Sequence, residues 1–224
     1  MSGPALSRAR ELVTDLRITF SVSDDFNELL AANEANRDSW DPLMPQFHPR
    51  YFDASKASAF WVKGTDSSGR IVAARGYRRF DLPAGSSLHD SLVDLSLFYD
   101  NPAQALPGER IESSAAMPHQ ISGSFALSGA LWVHPGSRRL GLPAAMKPIG
   151  RAVTHDLWDV PLLVALIEDV RNNTTRSDNC ESGICWKGSY VAPQCDFTLV
   201  WWSREVMAKS VYHFIGDLRA ASQR

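Results

Sequence analysis

The sequence predicts a mixed α/β fold, and three observations carry that prediction. Runs rich in β-branched and aromatic residues alternate with segments whose apolar residues recur every three or four positions. Hydrophobic residues make up 44% and charged residues 21% of the 224, which is a globular balance and excludes a disordered or low-complexity chain. Around residues 133–144 a strand gives way to a helix, and a further strand follows. At roughly 100 to 200 residues per domain, the length suits a single domain over 1–224.

The elements follow in order. Leu6, Ala9, Val13 and Leu16 share one helical face, so residues 1–16 read as an N-terminal helix. Ile18, Phe20 and Val22 alternate as in a strand, and Ser23 reads as the cap of a helix reaching about Asn36. Three prolines within 40–49 predict an irregular loop. Phe60–Lys63 and Ile71–Phe80 flank the turn-forming run 64–69 and predict a hairpin. Leu88, Leu92, Leu95 and Tyr99 predict a helix within residues 81–120. Ser122–His134 predicts the central strand, with Gly123 and Gly129 marking a bulge or the close approach of another group. Leu142, Met146, Ile149, Val153 and Leu157 predict a helix, and Leu162–Asp169 a buried strand ending in two carboxylates. Ile184–Val191 and Phe197–Trp202 predict two more strands, and Ser203 opens an extra C-terminal helix over 203–224.

The junction at 133–144 carries the chemistry. Amides at a helix start have no acceptor within the helix, and the macrodipole adds a positive charge of about half a unit, so phosphate oxygens fit there. Gly141 lacks the Cβ that would hold a diphosphate off the backbone, and Arg138 and Arg139 add mobile charge at the rim. No Gly-Lys-(Ser/Thr) follows, so this is not a Walker loop. The pattern Val-x-Pro followed by Arg-x-x-Gly-x-(Gly/Ala), carried here by Val133, Pro135, Arg138 and Gly141, resembles the acyl-coenzyme A motif of the GNAT acyltransferase superfamily. The match covers about residues 130–170, with weaker agreement of element order over 17–202.

That resemblance implies a GNAT-like mixed central sheet flanked by helices, and acetyl-CoA or another acyl-CoA as co-substrate, without a metal. It implies that Arg138, Arg139, Leu140, Gly141, Leu142 and Ala144 hold the diphosphate, and that the thioester arm lies against the backbone of Trp132 and Val133. The chain departs from the pattern in four places. Pro143 stands at the last Gly/Ala position, Pro148 falls inside the helix, and the family's tyrosine-bearing helix is not recognisable in 171–183. Residues 81–120 stand where the family has a short turn, an insertion before the central strand that the resemblance makes a substrate-side lid or wall.

Acyl transfer to an amine needs a neutral nucleophile, a donor facing the oxyanion and an acid for the thiolate. His134, at the end of the central strand, has a ring suited to a base, and equally suits a turn. Glu168 and Asp169 suit an ammonium or its proton, and equally a solvated pair. Glu112 and His119 precede the central strand without a pattern that orients them, and Tyr190 is the late tyrosine placed for the acid, unless it packs in the core.

With 23 basic against 25 acidic residues the net charge is -2, so no global field draws nucleic acid or an anionic membrane. The apolar run 160–167 is far shorter than the roughly 18 residues of a membrane span. No apolar stretch follows Arg8 and Arg10, so a cytoplasmic location is expected. Cys180, Cys185 and Cys195 lack the paired spacing of a zinc site and read as reduced thiols. The expected activity is N-acyl transfer to a small-molecule amine acceptor, with room for a homodimer. The competing readings are a non-catalytic binding or interaction protein of the same fold, or a long-chain transferase fed by an acyl carrier protein.

Overall fold

The computed structural model describes residues 18–53, 58–168 and 179–209. The predicted helix over 1–16, Asp169, the stretch 171–178 and most of the C-terminal helix lie outside them.

Eight strands form one sheet. They are β1 (Ile18–Ser23), β2 (Ala59–Asp66), β3 (Ile71–Asp81), β4 (Arg110–Ser113), β5 (Ser124–Val133), β6 (Leu162–Glu168), β7 (Cys180–Lys187) and β8 (Gln194–Ser203). Their order is β1-β2-β3-β5-β6-β8-β7-β4. The β5–β6 pair is parallel and every other pair is antiparallel. Beside the sheet lie the helices α1 (Phe26–Glu34), α2 (Leu88–Val93) and α3 (Leu142–Trp158). Side chains alternate across the strands, so Phe60 and Val62 join the apolar layer beneath α3 while Trp61 joins the one on the opposite face. No helix among the described residues is long and apolar enough to cross a membrane.

Local chemistry explains where the elements start. Asp25, two residues beyond the predicted Ser23, caps α1, and its Oδ1 accepts from the amides of Asn27 at 2.9 Å and Glu28 at 3.2 Å. Ser23 Oγ instead accepts from the Asp25 amide at 3.2 Å. The predicted hairpin is β2–β3, its turn closed by Asp66 Oδ1 on the amides of Ser68 and Arg70. The proline-rich loop contains a short 3-10 turn, Pro45–Phe47, which carries Phe47 over the facing pair Gly76 and Gly129. A Cβ on Gly129 would sit 2.5 Å from that ring, so this glycine marks the close approach of a side chain.

The insertion corrects an expectation. The predicted helix over 87–99 is only α2, closed by a Ser87–Asp90 capping box and stopped where Leu95 turns to φ +66°. Leu97, Phe98 and Tyr99 then fold into the core, and β4 pairs with β7 as the last strand of the sheet. The insertion enlarges the core and the far edge, and none of its residues lines the cleft described below.

α3 runs for 17 residues, straight through Pro148 at the cost of one helical hydrogen bond. Gly141, at φ +72°, turns the chain into it, a left-handed conformation that disfavours residues with a Cβ. Beyond β8, residues 204–209 are helical, and the Val206 amide donates to the predicted cap Ser203 at 3.5 Å.

Candidate functional site

The site grows from the one parallel pair. Only Ala126, Leu127 and Ser128 of β5 pair with β6, opposite Leu163, Val164 and Ala165. Past Ser128, β5 stays with β3 and β6 stays with β8, so the two strands part. A bulge falls at the parting: the register with β3 shifts between Ala74 and Gly76, and Ala130 adopts φ +49°.

Antiparallel alternation decides which backbone groups face the opening. The His134 amide donates to Val72 O at 2.9 Å, so that rung is hydrogen-bonded and Trp132–Ala74, two rungs back, is also. Val133 lies between them, and its amide and carbonyl turn away from β3 toward the gap. Of the two backbone positions expected to meet a thioester arm, the Val133 amide has no acceptor among the described residues, whereas Trp132 is committed to the sheet. The Val133 carbonyl accepts from Arg138 Nε at 3.3 Å.

The turn after β5 is compact. His134 Nδ1 accepts from the Gly136 amide at 3.1 Å, the Arg138 amide donates to Pro135 O and the Leu140 amide to Ser137 O. Gly141 O takes the amides of Ala144 and Ala145. Ala144, expected to hold phosphate, thus has its amide occupied, and Leu140 likewise. The amides of Arg139, Gly141 and Leu142 have no acceptor among the described residues. Leu142 offers only its amide, because its side chain is fully buried beneath α3. The space over Gly141 is open, and the side chains of Arg138 and Arg139 are exposed.

A cleft of about 380 Å³ joins these parts, lined by residues 39–44 of the proline-rich loop, residues 130–133 of β5, Arg138 and Pro143. Trp40 stacks on Trp132 with centroids 4.7 Å apart and planes 4° from parallel, and Trp132 Nε1 donates to Ser39 Oγ at 3.4 Å. Asp41 of the cleft lining and Glu168 at the end of β6 are both exposed, and the buried Cys195 thiol is pushed up to about 11 by burial and then by the charges of Glu168, Asp196 and Asp41.

The remaining expected residues are placed differently. The Tyr190 phenol donates to the carbonyl of Leu43, and burial pushes its pKa well up. Its hydrogen is spent on bracing the cleft loop, not offered to a leaving thiolate. His134 uses its ring lone pair on Gly136, which leaves the neutral imidazole without a base to offer. Glu112 lies on β4 at the far edge, 2.5 Å from Lys187 Nζ and 3.0 Å from Arg110 Nε, and these hydrogen bonds hold its carboxyl below the usual range. It lines a separate open hollow with Cys185 and Asp196. His119 stacks on His89 at 3.7 Å, also away from the cleft lining.

Sequence reasoning missed Trp40 and Asp41, which sit in a loop where periodicity says nothing.

No protein-family model matches the sequence, and no curated protein matches it. Among solved structures, the chain is similar to a GNAT family N-acetyltransferase from Escherichia coli in complex with CoA, at 12% identity over 92% of this chain and 88% of that one, with a TM-score of 0.43. It is similar to Arabidopsis thaliana NAA60 in complex with acetyl-CoA, at 13% identity over 83% of this chain and 99% of that one, with a TM-score of 0.49. It is also similar to the ribosomal-protein-S5-alanine acetyltransferase of Vibrio fischeri, at 10% identity over 84% and 94% of the two chains, with a TM-score of 0.46.

Proposed function

We propose that the chain is an acyl-coenzyme A-dependent N-acyltransferase that passes the acyl group directly to a small amine. The observation that carries this reading is the end of β5–β6 pairing at Ser128, which turns the Val133 amide into an open gap. A thioester arm in the gap accepts the hydrogen bond that β6 no longer takes. The diphosphate meets the amides of Arg139, Gly141 and Leu142, with Arg138 beside it. The amine attacks the thioester carbonyl and the thiol departs, with no acyl-enzyme formed. Asp41 and Glu168, both exposed, draw the ammonium to the rim and relay its proton to water.

A thermal-shift titration of the full chain with acetyl-coenzyme A tests this. A ligand at 100 times its dissociation constant adds about 2.7 kcal/mol to the native state, so Tm is expected to rise by several degrees. The double variant Arg138→Ala, Gly141→Glu is expected to remove the rise while its unliganded Tm falls only slightly, since the added side chain meets open space and costs about 1 kcal/mol of backbone strain. No shift in the unaltered chain at millimolar coenzyme sinks the reading.

One observation favours a second reading, a thioester-binding protein without catalysis: His134 and Tyr190 are both engaged within the chain. Coenzyme binding with no thiol release above background across an amine panel decides for it.

A further inference from the structure

Three carbonyls of the cleft loop are each held by a side chain from outside residues 39–44. Arg37 Nη1 donates to Trp40 O at 3.0 Å, Nδ2 of the buried Asn33 on α1 donates to Asp41 O at 2.8 Å, and the Tyr190 hydroxyl donates to Leu43 O. The Trp40 ring is fixed as well, by its stack on Trp132. A loop restrained at so many points holds its side chains where a ligand meets them, and binding then loses little conformational freedom. The charged side chain this loop brings to the cleft is Asp41. It is exposed, and its carboxylate accepts no hydrogen bond and joins no ion pair among the described residues. The other charged residue of the lining is Arg138, whose Nε is on Val133 O at 3.3 Å, beside the amides assigned to the diphosphate.

Around Asp41 the lining is apolar. Pro42 and Met44 continue the loop, and the β5 bulge faces them. There the register sets Ala130 and Leu131 of β5 against the single residue Arg75 of β3, and Leu131 is left 47% exposed in the cleft wall. Apolar area laid on that surface gains about 25 cal/mol per Å². A hydroxyl or a second ammonium placed there gives up water for no partner.

We propose that this end of the cleft selects the acceptor, and that the acceptor is a primary amine on a compact apolar body with no second charge. Its ammonium pairs with Asp41, and its body packs on Met44 and Leu131. This rests on the thioester reading above and names the substrate class of the same site. The cleft, about 380 Å³, is near the lower end of the roughly 300–1,000 Å³ of small-molecule sites, and the reacting end of the thioester shares it. The body is therefore a single ring or a short branched chain, and polyamines and aminosugars are rejected by the charges and hydroxyls they cannot pair.

Titration calorimetry on the full chain saturated with coenzyme A tests this, with 2-phenylethylamine, ethanolamine and 2-phenylethanol as titrants. Ethanolamine keeps the ammonium without the ring, and 2-phenylethanol keeps the ring without the charge. 2-Phenylethylamine is expected to bind roughly 10-fold or more tightly than either. In Asp41→Asn its advantage over 2-phenylethanol is expected to fall toward one, and in Leu131→Ser its advantage over ethanolamine to fall several-fold. Leu131→Ser keeps the test usable if Asp41→Asn does not fold. Ethanolamine or 2-phenylethanol binding as tightly as 2-phenylethylamine overturns the inference while leaving the thioester reading intact, and so do unchanged ratios in the variants or a loaded chain that binds no amine. Failure of coenzyme A itself to bind overturns both.

Discussion

Glu109 shows how single buried groups are held in this chain. It is 8% exposed, and three donors close on its carboxylate: the Tyr99 hydroxyl at 2.9 Å, the Trp186 indole at 2.9 Å and the Leu106 amide at 2.8 Å. Replacing it by Leu leaves all three buried without an acceptor. Glu109→Leu is expected to cost roughly 2–4 kcal/mol, read as a lower urea midpoint at unchanged slope, with Glu109→Gln losing less because its amide oxygen still accepts. At this scale the sequence was readable where the feature is one of backbone conformation, as at the left-handed Gly141, because local order sets backbone direction. It was not readable where a side chain acts through distant partners. Tyr190 had no signal for its bond to the Leu43 carbonyl, 147 positions away, and Glu112 had none for Lys187, 75 positions away.

Among the elements, the β3–β5 rung at Gly76 and Gly129 determines how the proline-rich loop reaches the cleft, since Phe47 occupies the space that side chains there would fill. Gly129→Ala forces that ring to move and is expected to destabilise the chain by about 1–3 kcal/mol. In a double-mutant cycle, adding Phe47→Leu should recover part of the loss, whereas additive costs would show that the ring does not set the spacing. Long periodic elements were legible before any coordinates: β2–β3, β5, α3 and β6 lie close to where alternation and helical spacing put them. β4 was not, because four residues give too little pattern and its pairing partner β7 comes about 70 positions later. α2 was overextended because Leu95 and Tyr99 keep helical spacing while turning into the core by another route.

Over the whole molecule, the parallel β5–β6 pair sits in the interior of an otherwise antiparallel sheet, so the gap it opens has a rigid frame on both sides. The chain's net charge is only -2, and its response to acid is set by particular carboxylates. Hydrogen bonds from Ser68 hold Asp66 at about 2, those from Arg79 and Ser124 lower Asp81, those from Ser87 lower Asp90, and the amides of Ala116 and Met117 lower Glu181. Each folded-state value lies below its unfolded one, so between them the unfolded chain binds more protons. The stability these groups contribute is present above the ordinary carboxylate range and is lost as pH falls through the folded values. Tm is therefore expected to hold steady from pH 7 to about 5 and to fall progressively between about 5 and 2. Replacing Glu181 by Gln should flatten that fall, because its carboxamide no longer titrates, although its single oxygen replaces only one of the two carboxylate acceptors and lowers the Tm at neutral pH. A calorimetric series of the two proteins at matched ionic strength checks it, and an unchanged slope in Glu181→Gln would remove Glu181 from the set that drives acid unfolding.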